Sequence, residues 1–223
     1  MSGFGVDKDA AVVAGGYPNN PDGSSGGGPY VRTNVIQYIT TATLGNAKDF
    51  GDLDVARADF DGCSSPTRGI FGGGGTTPSA GDRSNIIDFI TIQTTGNSTD
   101  FGDLTVARSH LDAGSNAVRG IFVQGINTTP STTPVNTLDY VTIASLGNAV
   151  DFGDAAVSVY GRAVSTSPTR LVAACGSSGS ADFEEMDYVQ IMTTGNAVDF
   201  GDGLPAAGLE GPVGFSNGHG GLG

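Results

Sequence analysis

The chain predicts an all-β fold, read as a four-bladed β-propeller of four-stranded antiparallel blades, and three observations carry that expectation. Gly-Asn-x-x-Asp-Phe-Gly-Asp occurs four times, beginning at Gly45, Gly96, Gly147 and Gly195, with spacings of 51, 51 and 48 residues. A period of this size, with no helical pattern between copies, points to β-repeats such as propeller blades. Glycine supplies 37 of 223 residues, and short runs of Val, Ile, Thr and Tyr are separated by Gly, Ser, Asn and Asp, the composition of strands and turns. The longest runs are apolar on both faces: Ile87 and Phe89 on one side and Ile86, Ile90 and Ile92 on the other, with equivalents in each copy. A sheet of such strands needs cover on both sides, as when blades stack face to face.

The repeats fall at about 10–57, 58–108, 109–159 and 160–207 of one domain, 1–223, with a closing strand over 208–223. In each, a short strand such as Arg68-Gly69-Ile70-Phe71 ends in glycines, and a loop then leads to the long strand, Asn85 to Ile92. Thr95-Gly96-Asn97 turns the chain, because Gly and Asn tolerate positive φ. The strand holding Asp100-Phe101-Gly102-Asp103 follows, then the linker Val106-Ala107-Arg108 and a weaker segment over 111–116.

Ala11 to Gly16 match the Gly-Gly strand, and Gly214 to Gly221 resemble the segment that precedes it. The expected outcome is a ring closed by pairing of the C-terminal strand with the N-terminal blade, which leaves no open edge. The four turns after the long strands are nearly identical and would line one rim. Dissimilar loops over 17–33, 74–84, 125–135 and 176–183 would line the other, where binding is expected.

A net charge of −13 argues against nucleic acid and anionic membranes as partners, since both would repel the chain. The N-terminal residues lack the basic and apolar regions of a signal peptide, and no apolar stretch approaches the roughly 20 residues of a membrane span. Cys63 and Cys175 occupy different points of the repeat and read as free, half-buried thiols.

The succession Ala-Arg, Gly-x-Ser, Arg-Gly-Ile-Phe-Gly-Gly, then Asn-x-Ile-Asp-Tyr/Phe-Val/Ile-Thr-Ile and Gly-Asn resembles a kelch-type blade. It departs from that pattern in lacking Trp and in losing the di-glycine at Val123-Gln124-Gly125 and Ala174-Cys175-Gly176. More closely, Asp-Tyr-Val-Thr-Ile with Gly-Asn-Ala-x-Asp-Phe-Gly-Asp-Leu, and the ending Ser-Asn-Gly-His-Gly-Gly-Leu, resemble repeats in virion structural proteins of marine bacteriophages. That resemblance, over about residues 10–223, implies a virion location and other virion proteins as partners in a symmetric assembly.

The carboxylates of the repeated motif, Asp49, Asp52, Asp100, Asp103, Asp151, Asp154, Asp199 and Asp202, are read as structural acceptors for backbone N–H groups at turns. Calcium, which wants six to eight oxygens, is the competing reading. Asp-Phe-Gly also marks protein kinases, but no other kinase motif accompanies it. His110 and His219 are too few for a recurring metal site, and Ser109-His110 with Asp112 imitates a triad only in composition. No catalytic residue, metal ligand or cofactor site is therefore assigned. Arg68, Arg119 and Arg170 are expected to pair with Asp88, Asp139 and Asp187 across the ladder, because an unpaired charge on an apolar face is costly. The first repeat has Ala11 and Gln37 at these places. The function expected is that of a non-enzymatic structural virion protein: a capsid decoration, head-fibre or tail-associated component. A glycan-binding receptor-recognition module is the alternative, for which the dissimilar loops offer Tyr17, Tyr30 and Phe183.

Overall fold

The computed structural model describes residues 10–17, 31–76, 82–127, 133–203 and 214. They form four antiparallel sheets and one small ribbon, with no helix. The first sheet has three strands, β1 (Ala10–Ala14), β2 (Val35–Thr40) and β3 (Lys48–Asp52). The second orders β4 (Asp61–Ser64), β5 (Arg68–Gly72), β6 (Ile86–Thr91) and β7 (Thr99–Asp103). The third uses β8 (Asp112–Ser115) and β9 (Arg119–Val123); its loop carries the ribbon β10 (Ile126–Asn127) and β11 (Thr133–Pro134), and β12 (Thr137–Thr142) and β13 (Val150–Asp154) complete it. The fourth orders β14 (Ala163–Thr166), β15 (Arg170–Ala174), β16 (Glu185–Gln190) and β17 (Val198–Asp202).

The motif Asp-Phe-Gly-Asp builds a β-bulge. In the second sheet Ile87 pairs with Gly102 and Asp88 with Asp100, so Phe101 has no partner across the ladder. The same shift recurs at Phe50, Phe152 and Phe200. Gly102 takes φ +146°, a conformation glycine adopts without a steric penalty. The bulged phenylalanine meets the aromatic ring of the long strand edge-on, with centroids about 6 Å apart in all four sheets. A bulge twists its strand and frees backbone groups from the ladder.

The glycine-ended turn after β1, β5, β9 and β15 has one backbone shape despite its sequence variation. Gly15, Gly73, Gln124 and Cys175 occupy its first position with φ between 52° and 72°, which Gln and Cys can adopt. Gly16, Gly74, Gly125 and Gly176 follow with φ from 98° to 119°, where a side chain is strained. The second glycine is therefore kept in every repeat, while the first is replaced in two.

The sheets stack face to face in chain order, with one apolar core at each junction. Ile36 and Phe50 of the first sheet meet Ile90 of the second. Ile70, Ile87 and Phe101 meet Phe122, Val141 and Ile143 of the third. Ile121, Leu138 and Phe152 meet Leu171, Val189 and Ile191 of the fourth. The alternation that places Ile87 and Ile90 on opposite faces of β6 is why the interior sheets are covered on both sides.

Among the described residues the row of sheets does not close into a ring, which corrects the propeller expectation. Among the described residues nothing lies within 4 Å of a side chain built at Gly45 in the first turn or at Gly201 on β17, whereas a Cβ at Gly51, Gly102 or Gly153 would strike the turn of the following sheet. Of the expected closing strand only Gly214 is described; it lies against the Val164 carbonyl and Ser165 hydroxyl of β14 in the fourth sheet.

Candidate functional site

The repeated motif forms a plug and a socket. Phe50 and Asp52 stand at the bulge of β3, and the next turn, Gly96-Asn97-Ser98, fits onto them. Gly96 N–H donates to the Phe50 carbonyl (2.7 Å), Ser98 N–H to the Asp52 carbonyl (2.8 Å), and Asn97 Oδ1 accepts from Asp52 N–H (3.1 Å). The contact recurs at the second junction, with Gly147 on Phe101, Ala149 on Asp103, and Asn148 on Asp103 N–H. It recurs at the third, with Gly195 on Phe152, Ala197 on Asp154, and Asn196 on Asp154 N–H. The aspartates at the socket thus contribute backbone, and the asparagine amide is the side chain that docks. Of the predicted carboxylate roles, Asp151 accepts Gly153 N–H (3.2 Å) and Asp199 accepts Gly201 N–H (2.8 Å). No group of three metal-binding side chains occurs among the described residues.

Each junction is also bolted by a buried ion pair, and here the predicted partners need correction. Asp88, Asp139 and Asp187 are buried and paired, but with linker arginines: Arg57 at 2.8 Å, Arg108 at 2.7 Å and Arg162 at 2.9 Å. Arg68 could not reach Asp88, because Asp88 faces Phe71 in the ladder while Arg68 faces Thr91. An offset of three residues puts the two side chains on opposite faces of the sheet. In the same register Arg68 corresponds to Ala10 rather than Ala11. Arg68, Arg119 and Arg170 lie instead over Phe89, Tyr140 and Tyr188, at 4.7, 4.4 and 4.8 Å from the ring centroids. Arg68 and Arg119 continue to the next sheet, donating to the Ile143 and Ile191 carbonyls. The sequence signal for the true partners is an arginine recurring at the end of each linker, Ala56-Arg57, Ala107-Arg108 and Gly161-Arg162.

The three bolts differ in quality. Asp139 also accepts from Thr105 N–H (3.2 Å) and the Thr105 hydroxyl (2.6 Å). Asp54 stands where Thr105 does, and neither Asp88 oxygen accepts a well-aligned hydrogen bond. Burial raises the Asp88 pKa, the nearby Arg57 opposes this, and Asp54 adds to it. Arg162 is the best satisfied arginine, donating to Gln124 Oε1, the Ala173 carbonyl and the Glu185 carbonyl as well as to Asp187.

The first strands of successive sheets are tied by carboxylates too. Asp61 accepts Ala113 N–H and Asp112 accepts Arg162 N–H, both at 2.8 Å. Burial pushes Asp112 up to about 7, with Asp61 adding to the shift. The three-stranded first sheet leaves a groove of about 370 Å³ between β1 and the β4–β5 hairpin, bordered by Val12, Ala14, Asp61 and Cys63. Cys63 and Cys175 are free and half-buried, and burial pushes the Cys63 thiol up to about 12, away from the reactive thiolate.

The triad-like residues do not assemble. Ser109 Oγ lies 3.0 Å from His110 Nδ1 but takes a hydrogen bond from Arg83, while Asp112 serves Arg162. Among the loop aromatics, the Tyr17 hydroxyl donates to Asp59 (2.7 Å) and its ring lies under Arg32. Phe183 is half-buried. Tyr30, His219 and most of the loop at 17–33 lie outside the described residues. The loop bases are tied to the linkers: Gly16 N–H donates to the Arg57 carbonyl and Gly74 N–H to that of Arg108. Compared with known families and curated proteins, the chain matches no family model and no curated sequence.

Proposed function

We propose that this chain is a non-enzymatic structural component of a virion, a capsid decoration, head-fibre or tail-associated protein, and that its dissimilar loops meet its partners. The observation that supports this most is where the repeated polar residues are spent. Asn97, Asn148 and Asn196 dock turns, and Arg57, Arg108 and Arg162 hold buried carboxylates. A catalytic centre gathers unlike groups at one place; here like groups recur at every junction and hold sheet to sheet. The resemblance of the repeats to virion structural proteins supplies the setting, with other virion proteins as partners in a symmetric assembly. A glycan platform would want free aromatic faces, and Tyr17 is already engaged by Asp59 and Arg32.

Antibody labelling and quantitative mass spectrometry of purified particles test the reading. The expected result is many copies per particle, and absence from particles overturns it. Saturable binding of the isolated chain to host surface glycans would replace it with the lectin reading.

A further inference from the structure

The two ends of the row carry the two halves of the junction that the chain builds three times internally. At one end, the head, the turn Gly45-Asn46-Ala47 is exposed, and it has the sequence of the turns that dock elsewhere. At the other end, the tail, β17 presents the bulge of Phe200 and Asp202. Phe50, Phe101 and Phe152 are 2–3% exposed beneath the following turn, whereas Phe200 is 51% exposed. Arg170, the counterpart of two arginines that donate across a junction, is likewise exposed at the tail.

We propose that a second copy of this chain docks head to tail, seating its Gly45-Asn46 turn on the β17 edge of the first and burying Phe200. The occupant is argued from continuity: the interface already exists three times between neighbouring sheets, with the same backbone donors and the same asparagine amide. The contact is heterologous, so one copy leaves a further tail open and the assembly extends rather than stopping at a dimer. This inference goes beyond the virion reading and does not depend on it.

Sedimentation velocity of the full chain over a wide concentration range tests it. The mass is expected to rise with concentration past that of a dimer. Phe200→Glu, which blocks the tail, and Asn46→Arg, which blocks the head, should each remain at the mass of one chain. Mixed together they should form a 1:1 dimer and nothing larger, because one tail and one head survive. Arg170→Ala should weaken association several-fold, and thermal unfolding of each variant checks that its fold is kept. A wild-type chain that stays monomeric overturns the proposal, whether its ends are idle or close on each other. A dimer that grows no further, or a folded blocked variant that assembles like wild type, overturns it equally.

Discussion

Residues 147–154 and 195–202 have the same sequence, Gly-Asn-Ala-Val-Asp-Phe-Gly-Asp, yet they lie in opposite environments. Phe152 is covered by the turn of the fourth sheet and Phe200 is half exposed. Their local geometry is alike: both phenylalanines are bulged, and both meet a tyrosine of the long strand edge-on near 6 Å. Eight identical residues thus make the same socket twice, and only one is filled. The motif specifies a bulge with free backbone groups; what covers the bulge is decided by whatever sheet comes next.

The most direct way to break this comparison is to truncate the two rings. Phe152→Ala should destabilise by about 3–5 kcal/mol, the usual range for a buried aromatic, whereas Phe200→Ala in dilute solution should cost well under half of that. Urea unfolding measures both, and equal losses would mean that Phe200 is buried in solution.

Next in size is the bolt beneath the long strand. Asp139→Ala leaves Arg108 buried without its partner and should cost about 3–5 kcal/mol. Replacing Asp139 and Arg108 together by apolar residues should recover most of that loss. Arg119→Ala removes only a cation–π contact and one carbonyl bond, an expected loss of about 1 kcal/mol. A double-mutant cycle over Arg108 and Asp139 with little coupling would show that the pair does not bolt the junction. The same exchange at Arg57 and Asp88 should be the more favourable of the two, since that pair lacks the Thr105 hydrogen bonds.

The third junction also titrates. Burial holds the folded Asp112 pKa at about 7, above the unfolded value near 3.9. The folded chain therefore keeps this proton at pH values where the unfolded chain has released it. The resulting stability is full below the unfolded pKa and is lost as pH rises through about 7. Melting temperature should fall between pH 5 and pH 8, and should fall less in Asp112→Asn, whose amide oxygen still accepts Arg162 N–H. An identical pH profile in the variant would remove Asp112 as the cause.

The smallest contrast is between asparagines. Asn196→Ala unpairs the Asp154 N–H and should cost about 1 kcal/mol, while Asn46→Ala, in the exposed first turn, should leave the stability of the isolated chain unchanged. Thermal unfolding of the two variants compares them, and equal melting shifts would mean that the first turn is docked as well.

Legibility followed locality. The long strands, their two apolar faces and the turns at Gly-Asn could be read from alternation and from residues that accept positive φ. That Asp88, Asp139 and Asp187 need partners was legible as well, because each interrupts an apolar face. The partners were not, because Arg57, Arg108 and Arg162 leave irregular linkers whose reach depends on how one sheet sits on the next. Strand register then excludes Arg68, Arg119 and Arg170 from those carboxylates and lays them on the aromatic rings instead.

By itself the sequence determined that this chain is all-β, that it repeats one unit, and which residues fill each sheet, since a strand's two faces and its turns are set by neighbours within a few residues. Only the tertiary structure decided which sheets meet, because that depends on contacts between residues 40 or more positions apart, such as the Gly195 turn on the Phe152 bulge. Those contacts bury Phe152 beneath the turn of the fourth sheet and leave Phe200, in an identical stretch of sequence, half exposed.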